Sequence, residues 1–156
     1  MHPAFAAAVE TLHPSFERLM SMRPIKWADM PSSARTPGVY LFSEGDTHLY
    51  VGRSNDVRAR YGRHCRPGAT HRMAAFAFRL ARETTGKTKA SYKAGADSRS
   101  GLILDAKFAE AFEAAKARVR AMDFRFVKEA DPTRQALLEM YCSVALDTRY
   151  NDFDTH

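Results

Sequence analysis

Several polar side chains of this chain have types and spacing that suit chemistry on a phosphate ester. The first two are phenols ten residues apart, in the strings Gly38-Val39-Tyr40 and Tyr50-Val51-Gly52. Phosphodiester hydrolysis needs positive charge against the charge that grows on the phosphate, a group that orients or deprotonates water, and a route for protonating the leaving oxygen. The chain contains a candidate for each of these tasks.

A permanent cation and an imidazole follow the second phenol. Helical spacing places Arg60 and His64 on the same side of a helix that Ser54 or Asn55 is expected to cap. Arg60 is suited to clamp a phosphate oxygen, because a guanidinium is planar and permanently charged. A free imidazole titrates near neutral pH, so His64 is a candidate for proton transfer, with a structural histidine as the alternative.

Glu139 is the candidate metal ligand. It lies in a predicted helix that is apolar round most of its circumference, and no Lys or Arg is three or four residues away. A partly buried carboxylate without a local cation is costly unless something compensates its charge, and a divalent metal would do so. One carboxylate predicts a single hard ion, Mg²⁺ or Mn²⁺, that keeps several waters. The alternative is a solvent-facing glutamate at the margin of the helix.

Taken in order between residues 37 and 151, these features resemble the signature of the GIY-YIG nuclease family. The matching features are the two tyrosine strings, Arg60 and His64 of the first helix, and Glu139 of the last helix. Asn151 follows twelve residues after Glu139. The resemblance implies a metal-dependent endonuclease that hydrolyses phosphodiester bonds in DNA with one ion on Glu139. It implies a catalytic set of Tyr40, Tyr50, Arg60, His64 and Glu139.

The resemblance also assigns residues around this set. Tyr40 or Tyr50 is expected to contact the attacking water, and which of the two is the base stays open. Arg53 is expected to contact nucleic acid or to lower the pKa of a phenol, and Arg63 to contact nucleic acid. Asn151 is expected to brace the site or to touch the phosphate.

The charge of the chain favours a polyanionic partner. It has 24 Lys and Arg against 18 Asp and Glu, a formal net charge of +6. A basic but uninvolved surface is the alternative. No zinc finger or helix-turn-helix is visible, so the shape of the DNA or a protein partner is expected to supply selectivity. A catalytically inactive nucleic-acid-binding module and a scaffold on the same fold are the competing hypotheses.

The predicted helices and strands that must position these residues indicate an α/β fold. We expect a small three-stranded antiparallel or mixed sheet flanked by helices in a nuclease domain spanning 37–156, with an insertion around 83–122 that contains a long helix over 102–122. Residues 1–36 are expected to form an N-terminal helical extension packed on the core. In the first hairpin, a loop of three or five residues would place Tyr40 directly across from Tyr50.

Cysteine usage and hydropathy suggest a location. Cys65 and Cys142 stand in a chain without a signal peptide, which favours reduced thiols. The apolar run at residues 4–9 is too short to span a membrane. We therefore expect a cytoplasmic protein without a membrane partner.

Overall fold

The computed structural model describes residues 1–88 and 94–153. It confirms an α/β fold with a three-stranded antiparallel sheet, flanking helices and helices at the N-terminus. The elements are α1 (Pro3–Glu10), α2 (Leu12–Ser21), β1 (Gly38–Glu44), β2 (Thr47–Ser54), α3 (Val57–Cys65), α4 (Ala75–Thr84), α5 (Arg99–Leu104), α6 (Ala106–Ala121), β3 (Asp123–Lys128) and α7 (Pro132–Leu146).

The chain divides into two compact units. The first, which we call the sheet unit, comprises Met1–Arg60 and Met122–His156. The second, the helical unit, is Tyr61–Ala121. Five residues of the helical unit, 89–93, and the last three of the chain lie outside the described residues. Part of the insertion expected around 83–122 falls on that gap, and the domain limits at 36 and 37 remain predictions.

The sheet has β1 at its centre, in the order β2-β1-β3. The predicted hairpin is present, but its turn has two residues and a bulge follows Phe42, so Tyr40 pairs with Gly52 and Phe42 with Tyr50. The expectation that Tyr40 stands directly across from Tyr50 is therefore wrong by two residues in register. Side chains alternate with period two, so both phenols still share one face of the sheet.

The opposite face of the sheet carries the core of the sheet unit. Val39, Leu41 and Val51 are fully buried there and pack with Leu19 of α2 and Leu138 of α7. Burial of each such aliphatic side chain contributes about 1.5–3 kcal/mol. This packing fixes α7, which carries Glu139, against β1 and β2.

Polar caps set where the helices of the site begin. The Asp131 side chain accepts a hydrogen bond from the backbone of Arg134, and Pro132 follows at the first helical position. The cap of α3 is Asp56, whose side chain accepts from the Ala59 amide at 2.9 Å. Ser54 is not the cap, because its hydroxyl accepts from the Asp56 amide instead.

The helical unit is built on aromatic packing. Phe78 of α4 contacts Phe108 and Phe112 of α6, with ring centroids 5.0 and 6.0 Å apart. The helix expected to run unbroken over 102–122 is two helices, because Asp105 leaves the helix and its side chain caps α6 through the Phe108 amide. Among the described residues, no helix is long and apolar enough to cross a membrane.

Candidate active site

Three of the predicted catalytic side chains form one hydrogen-bonded cluster in the sheet unit. Arg60, on α3, donates from Nε to the Tyr40 hydroxyl at 3.4 Å. The Tyr50 side chain is hydrogen-bonded to both Arg60 and Tyr40. The two phenol rings lie with their centroids 6.4 Å apart. A fixed cation and two hydroxyls therefore meet on one face of the β1–β2 hairpin.

The two phenols differ in exposure. The sequence left open which of them contacts water, and exposure distinguishes them. The Tyr40 side chain is 1% exposed, whereas Tyr50 is partly exposed. Burial raises the pKa of both phenols above the ordinary value, and the opposing effect of Arg60 is smaller. The charge next to the phenols comes from Arg60, not from Arg53 as the sequence suggested. Both tyrosines are neutral at pH 7, and only Tyr50 is accessible to water.

Glycine is required at two positions for steric reasons. A Cβ atom on Gly52 would lie 2.3 Å from the Tyr40 hydroxyl oxygen, and one on Gly38 would lie 2.2 Å from the carbonyl oxygen of Val127. Gly52 therefore makes room for the buried phenol, and Gly38 lets β1 approach β3. Register explains the first contact, since Tyr40 and Gly52 are paired across the strands.

Glu139 is held by a cation from a different element. Its Oε2 accepts a hydrogen bond from Arg53 Nε at 3.0 Å, an ion pair in which the Glu139 side chain is 23% exposed and Arg53 47%. Burial raises the pKa of Glu139, and the charge and hydrogen bond of Arg53 oppose the shift. The sequence predicted that Glu139 has no cation nearby, and this is true only of its own helix. Its partner Arg53 lies 86 residues earlier in the chain, on β2.

Asn151 is bound to the edge strand. Its Oδ1 accepts from the Val51 amide at 2.9 Å, and its Nδ2 donates to the Val51 carbonyl at 2.8 Å. The Thr148 hydroxyl also donates to Oδ1, and the Tyr150 amide donates to the Leu49 carbonyl. The side-chain amide thus mimics a paired strand along β2, which favours the bracing role over a direct phosphate contact.

Two other predicted residues, His64 and Arg63, belong to the helical unit. His64 is fully buried and its ring lies edge-on to Phe76 at 6.4 Å between centroids. An imidazole without solvent exposure does not meet substrate in this conformation, which favours the structural alternative. Arg63 is exposed and makes no ion pair with the residues that the structure describes.

Glu139 is the one carboxylate that the predicted site could offer to a metal ion. Within the described ranges, no group of three or more His, Cys, Asp or Glu side chains lies together. Glu139 Oε1 makes no hydrogen bond to the described residues, so one carboxylate oxygen is available. Cys142, one turn along α7, has its pKa raised to about 12 by burial, so its thiol stays protonated and is a poor ligand. A single carboxylate could hold a hard cation such as Mg²⁺ or Mn²⁺ only with mostly water ligands, and it does not make a closed zinc site.

Comparison with known proteins finds one local similarity. A 40-residue stretch is 40% identical to UvrABC system protein C of Deinococcus radiodurans. That stretch covers 26% of this chain and 6% of the other protein. No family model matches the chain, and no solved structure matches it.

Proposed function

We propose that this chain is a divalent-metal-dependent endonuclease of the GIY-YIG type that hydrolyses phosphodiester bonds in DNA. The observation that carries the proposal is the hydrogen-bonded cluster of Arg60, Tyr40 and Tyr50, with Glu139 close enough to raise the pKa of both phenols. Sheet packing alone does not require a cation and two hydroxyls at one point. A reaction on a negatively charged ester does require such groups.

Each residue of the cluster has a defined task in this proposal. Tyr50, partly exposed and neutral, orients the attacking water through its hydroxyl. Tyr40, buried beneath it, holds Tyr50 and Arg60 in place and is a positioning residue. Arg60, whose permanent charge is set against two neutral phenols, stabilises the charge that develops on the phosphate.

Glu139 would hold the metal. When bound, a divalent ion there supplies Lewis-acid neutralisation of the phosphate charge. Its ion pair with Arg53 keeps the carboxylate in place and compensates its charge until a cation takes over. Asn151 fixes the edge of β2 and hence the position of Tyr50 relative to α7.

The comparisons support the proposal in a limited region. The local similarity to UvrABC system protein C agrees with a nuclease role and with DNA as the substrate. The order of Tyr40, Tyr50, Arg60 and Glu139 along the chain agrees with the signature that the sequence resembles. His64 is left out of the proposed chemistry because it is buried.

A cleavage assay tests the proposal. The purified chain is incubated with Mg²⁺ or Mn²⁺ and a panel of duplex, nicked, branched and single-stranded DNA and RNA. We expect cleavage of at least one DNA substrate, loss of cleavage with EDTA, and no cleavage by Glu139→Gln. Binding of DNA without cleavage under every metal condition would instead support the inactive binding module. Neither binding nor cleavage would support a scaffold.

A further inference from the structure

The net positive charge of this chain comes from one of its two units. The helical unit contains 13 Lys and Arg against 5 Asp and Glu in the sequence, a formal charge of +8. The sheet unit contains 11 Lys and Arg against 13 Asp and Glu, a formal charge of −2. The unit that holds the tyrosine cluster is therefore slightly acidic, and the net charge of the chain comes from the other unit.

Four of the eleven bases of the sheet unit are held in internal ion pairs. Arg53 pairs with Glu139 at 3.0 Å, and Arg134 pairs with Glu129 at 3.2 Å. Two further pairs join Lys26 to Asp123 and Arg35 to Asp56. Asn151 likewise has its amide engaged by the backbone of Val51. The sequence assigned three residues to nucleic-acid binding. Two of them, Arg53 and Asn151, are thus engaged in contacts within the protein.

Among the described residues, the helical unit has more exposed bases without an ion pair than the sheet unit has. Lys116 is buried and pairs with Glu113 at 2.8 Å, but six others are exposed and make no ion pair with any residue that the structure describes. These six are Arg63, Arg66, Arg72, Lys87, Arg99 and Lys107. Exposed cations in this number without internal counter-ions form the electrostatic footprint of a polyanion site.

Two of these cations lie close to His71. The His71 ring lies 6.2 Å from the ring of Phe78 between centroids, and Arg72 is the next residue along the chain. Burial lowers the pKa of His71, and the charges of Arg72 and Arg99 lower it further. Arg99 is held over the ring of Phe78, with its Cζ 4.9 Å from the ring centroid. Two guanidiniums from separate segments are therefore close to His71, and neither forms an ion pair with a carboxylate among the described residues.

We infer that the helical unit is the nucleic-acid-binding surface of this chain, and that Arg72 and Arg99 contact the phosphate backbone of the DNA. The inference rests on the proposed function for its choice of DNA among polyanions. Contacts of this kind are independent of sequence and depend on salt, since each neutralised phosphate releases a counter-ion. In this inference the helical unit attracts the DNA and the sheet unit hydrolyses it.

The test measures binding of a fluorescent DNA duplex by anisotropy in EDTA, where no cleavage occurs, with salt varied from about 50 to 200 mM. Arg72→Gln/Arg99→Gln should weaken binding about tenfold and reduce the slope of log K against log salt by about 2, the value for two phosphate contacts. The charge-preserving Arg72→Lys/Arg99→Lys should keep most of the slope. Circular dichroism checks that each variant is folded.

The matched control removes two charges from the sheet unit. Arg23 and Lys128 are exposed and make no ion pair with the described residues, and Arg23→Gln/Lys128→Gln should leave affinity and slope within about twofold of wild type. Equal losses in both double variants would overturn the inference, because binding would then follow net charge alone. Absence of duplex binding by the wild-type chain, or binding to anionic lipid vesicles only, would also overturn it. Cleavage with Mn²⁺, measured separately, decides the proposed function.

Discussion

Arg53 Nε lies 3.0 Å from Glu139 Oε2, so the carboxylate expected to bind the metal is already paired with a guanidinium. The pair joins β2 to α7 across 86 residues of sequence. In the proposed function, a metal ion on Glu139 would compete with the guanidinium of Arg53 for the same carboxylate. The residue directly after Gly52 would therefore tune the metal site.

The first prediction follows from this competition. Arg53→Gln removes the competing cation, so Mn²⁺ should bind about two- to fivefold more tightly, as expected for a partly exposed ion pair of up to about 1 kcal/mol. The measurement is Mn²⁺ binding by electron paramagnetic resonance without DNA, at pH 8 to keep the carboxylate ionised. Arg58→Gln, a change of the same size on α3, should have no effect. Weaker Mn²⁺ binding in Arg53→Gln would mean that Arg53 organises the carboxylate for the metal.

The second prediction concerns Glu139 itself. Glu139→Gln preserves volume but removes the charge, so Mn²⁺ binding and cleavage should be lost while the fold and DNA affinity are retained. Cleavage is measured with Mn²⁺, affinity in EDTA, and folding by thermal melting. Glu129→Gln, which removes another ion-paired carboxylate of the sheet unit, should cut DNA at near wild-type rates. An active Glu139→Gln protein would rule out the single-metal site.

Much of the fold could be predicted from sequence, because its signals are local. The alternation of Phe124 and Phe126 with other residues is typical of a strand and matches β3. An aspartate followed by proline is typical of a helix start, and the side chain of Asp131 does cap α7. The helix break at Asp105 was missed, since an aspartate inside an amphipathic stretch does not reveal that its side chain caps the following turn. The polar cap competes with helix continuation, and tertiary packing decides the outcome.

The site was harder to predict, because its contacts join distant parts of the chain. The Arg53–Glu139 pair spans 86 residues of sequence, and the Asn151–Val51 pairing spans 100. The periodicity of apolar residues reflects local structure, so it does not predict such contacts. Burial could not be predicted from residue spacing either. The spacing placed His64 on the same side of the helix as Arg60, but it did not indicate that the His64 side chain is fully buried. The role of Gly52 follows only from the register, which the bulge after Phe42 changed.

The third prediction distinguishes Arg60 from its neighbour on the same helix. Arg60 donates to Tyr40 and is hydrogen-bonded to Tyr50, whereas Arg58 makes no ion pair or hydrogen bond with the described side chains. Arg60→Ala should therefore reduce turnover by about 100-fold or more, the size of one lost electrostatic donor. Arg58→Ala should stay within about threefold. Single-turnover cleavage at saturating enzyme provides the comparison. Equal losses would mean that the arginines of α3 act only as a diffuse positive surface.

The fourth prediction uses the steric role of Gly52. A methyl group there would overlap the Tyr40 hydroxyl, so Gly52→Ala should displace the phenol and destabilise the protein by about 1–3 kcal/mol. Cleavage should fall with it, because the Arg60 hydrogen bond depends on that hydroxyl. Gly68→Ala is the control, since a Cβ there meets nothing within 4 Å. Urea denaturation measures the stability of both variants. A Gly52→Ala protein with wild-type stability and cleavage would contradict the packing of Tyr40 on this strand.

The last prediction separates the two phenols. Tyr50→Phe removes only the hydroxyl of a partly exposed side chain, so the free energy of unfolding should change by no more than about 1–2 kcal/mol, while turnover falls at least about 100-fold. Tyr40→Phe removes a buried hydroxyl that accepts from Arg60, so it should cost both stability and turnover. The double variant should be little slower than the slower single variant, because groups that act as one unit are not additive. Urea denaturation and single-turnover cleavage measure the three variants in parallel. If both single variants cut at wild-type rates, the tyrosines serve strand packing alone, and the orientation of water must be assigned to other groups.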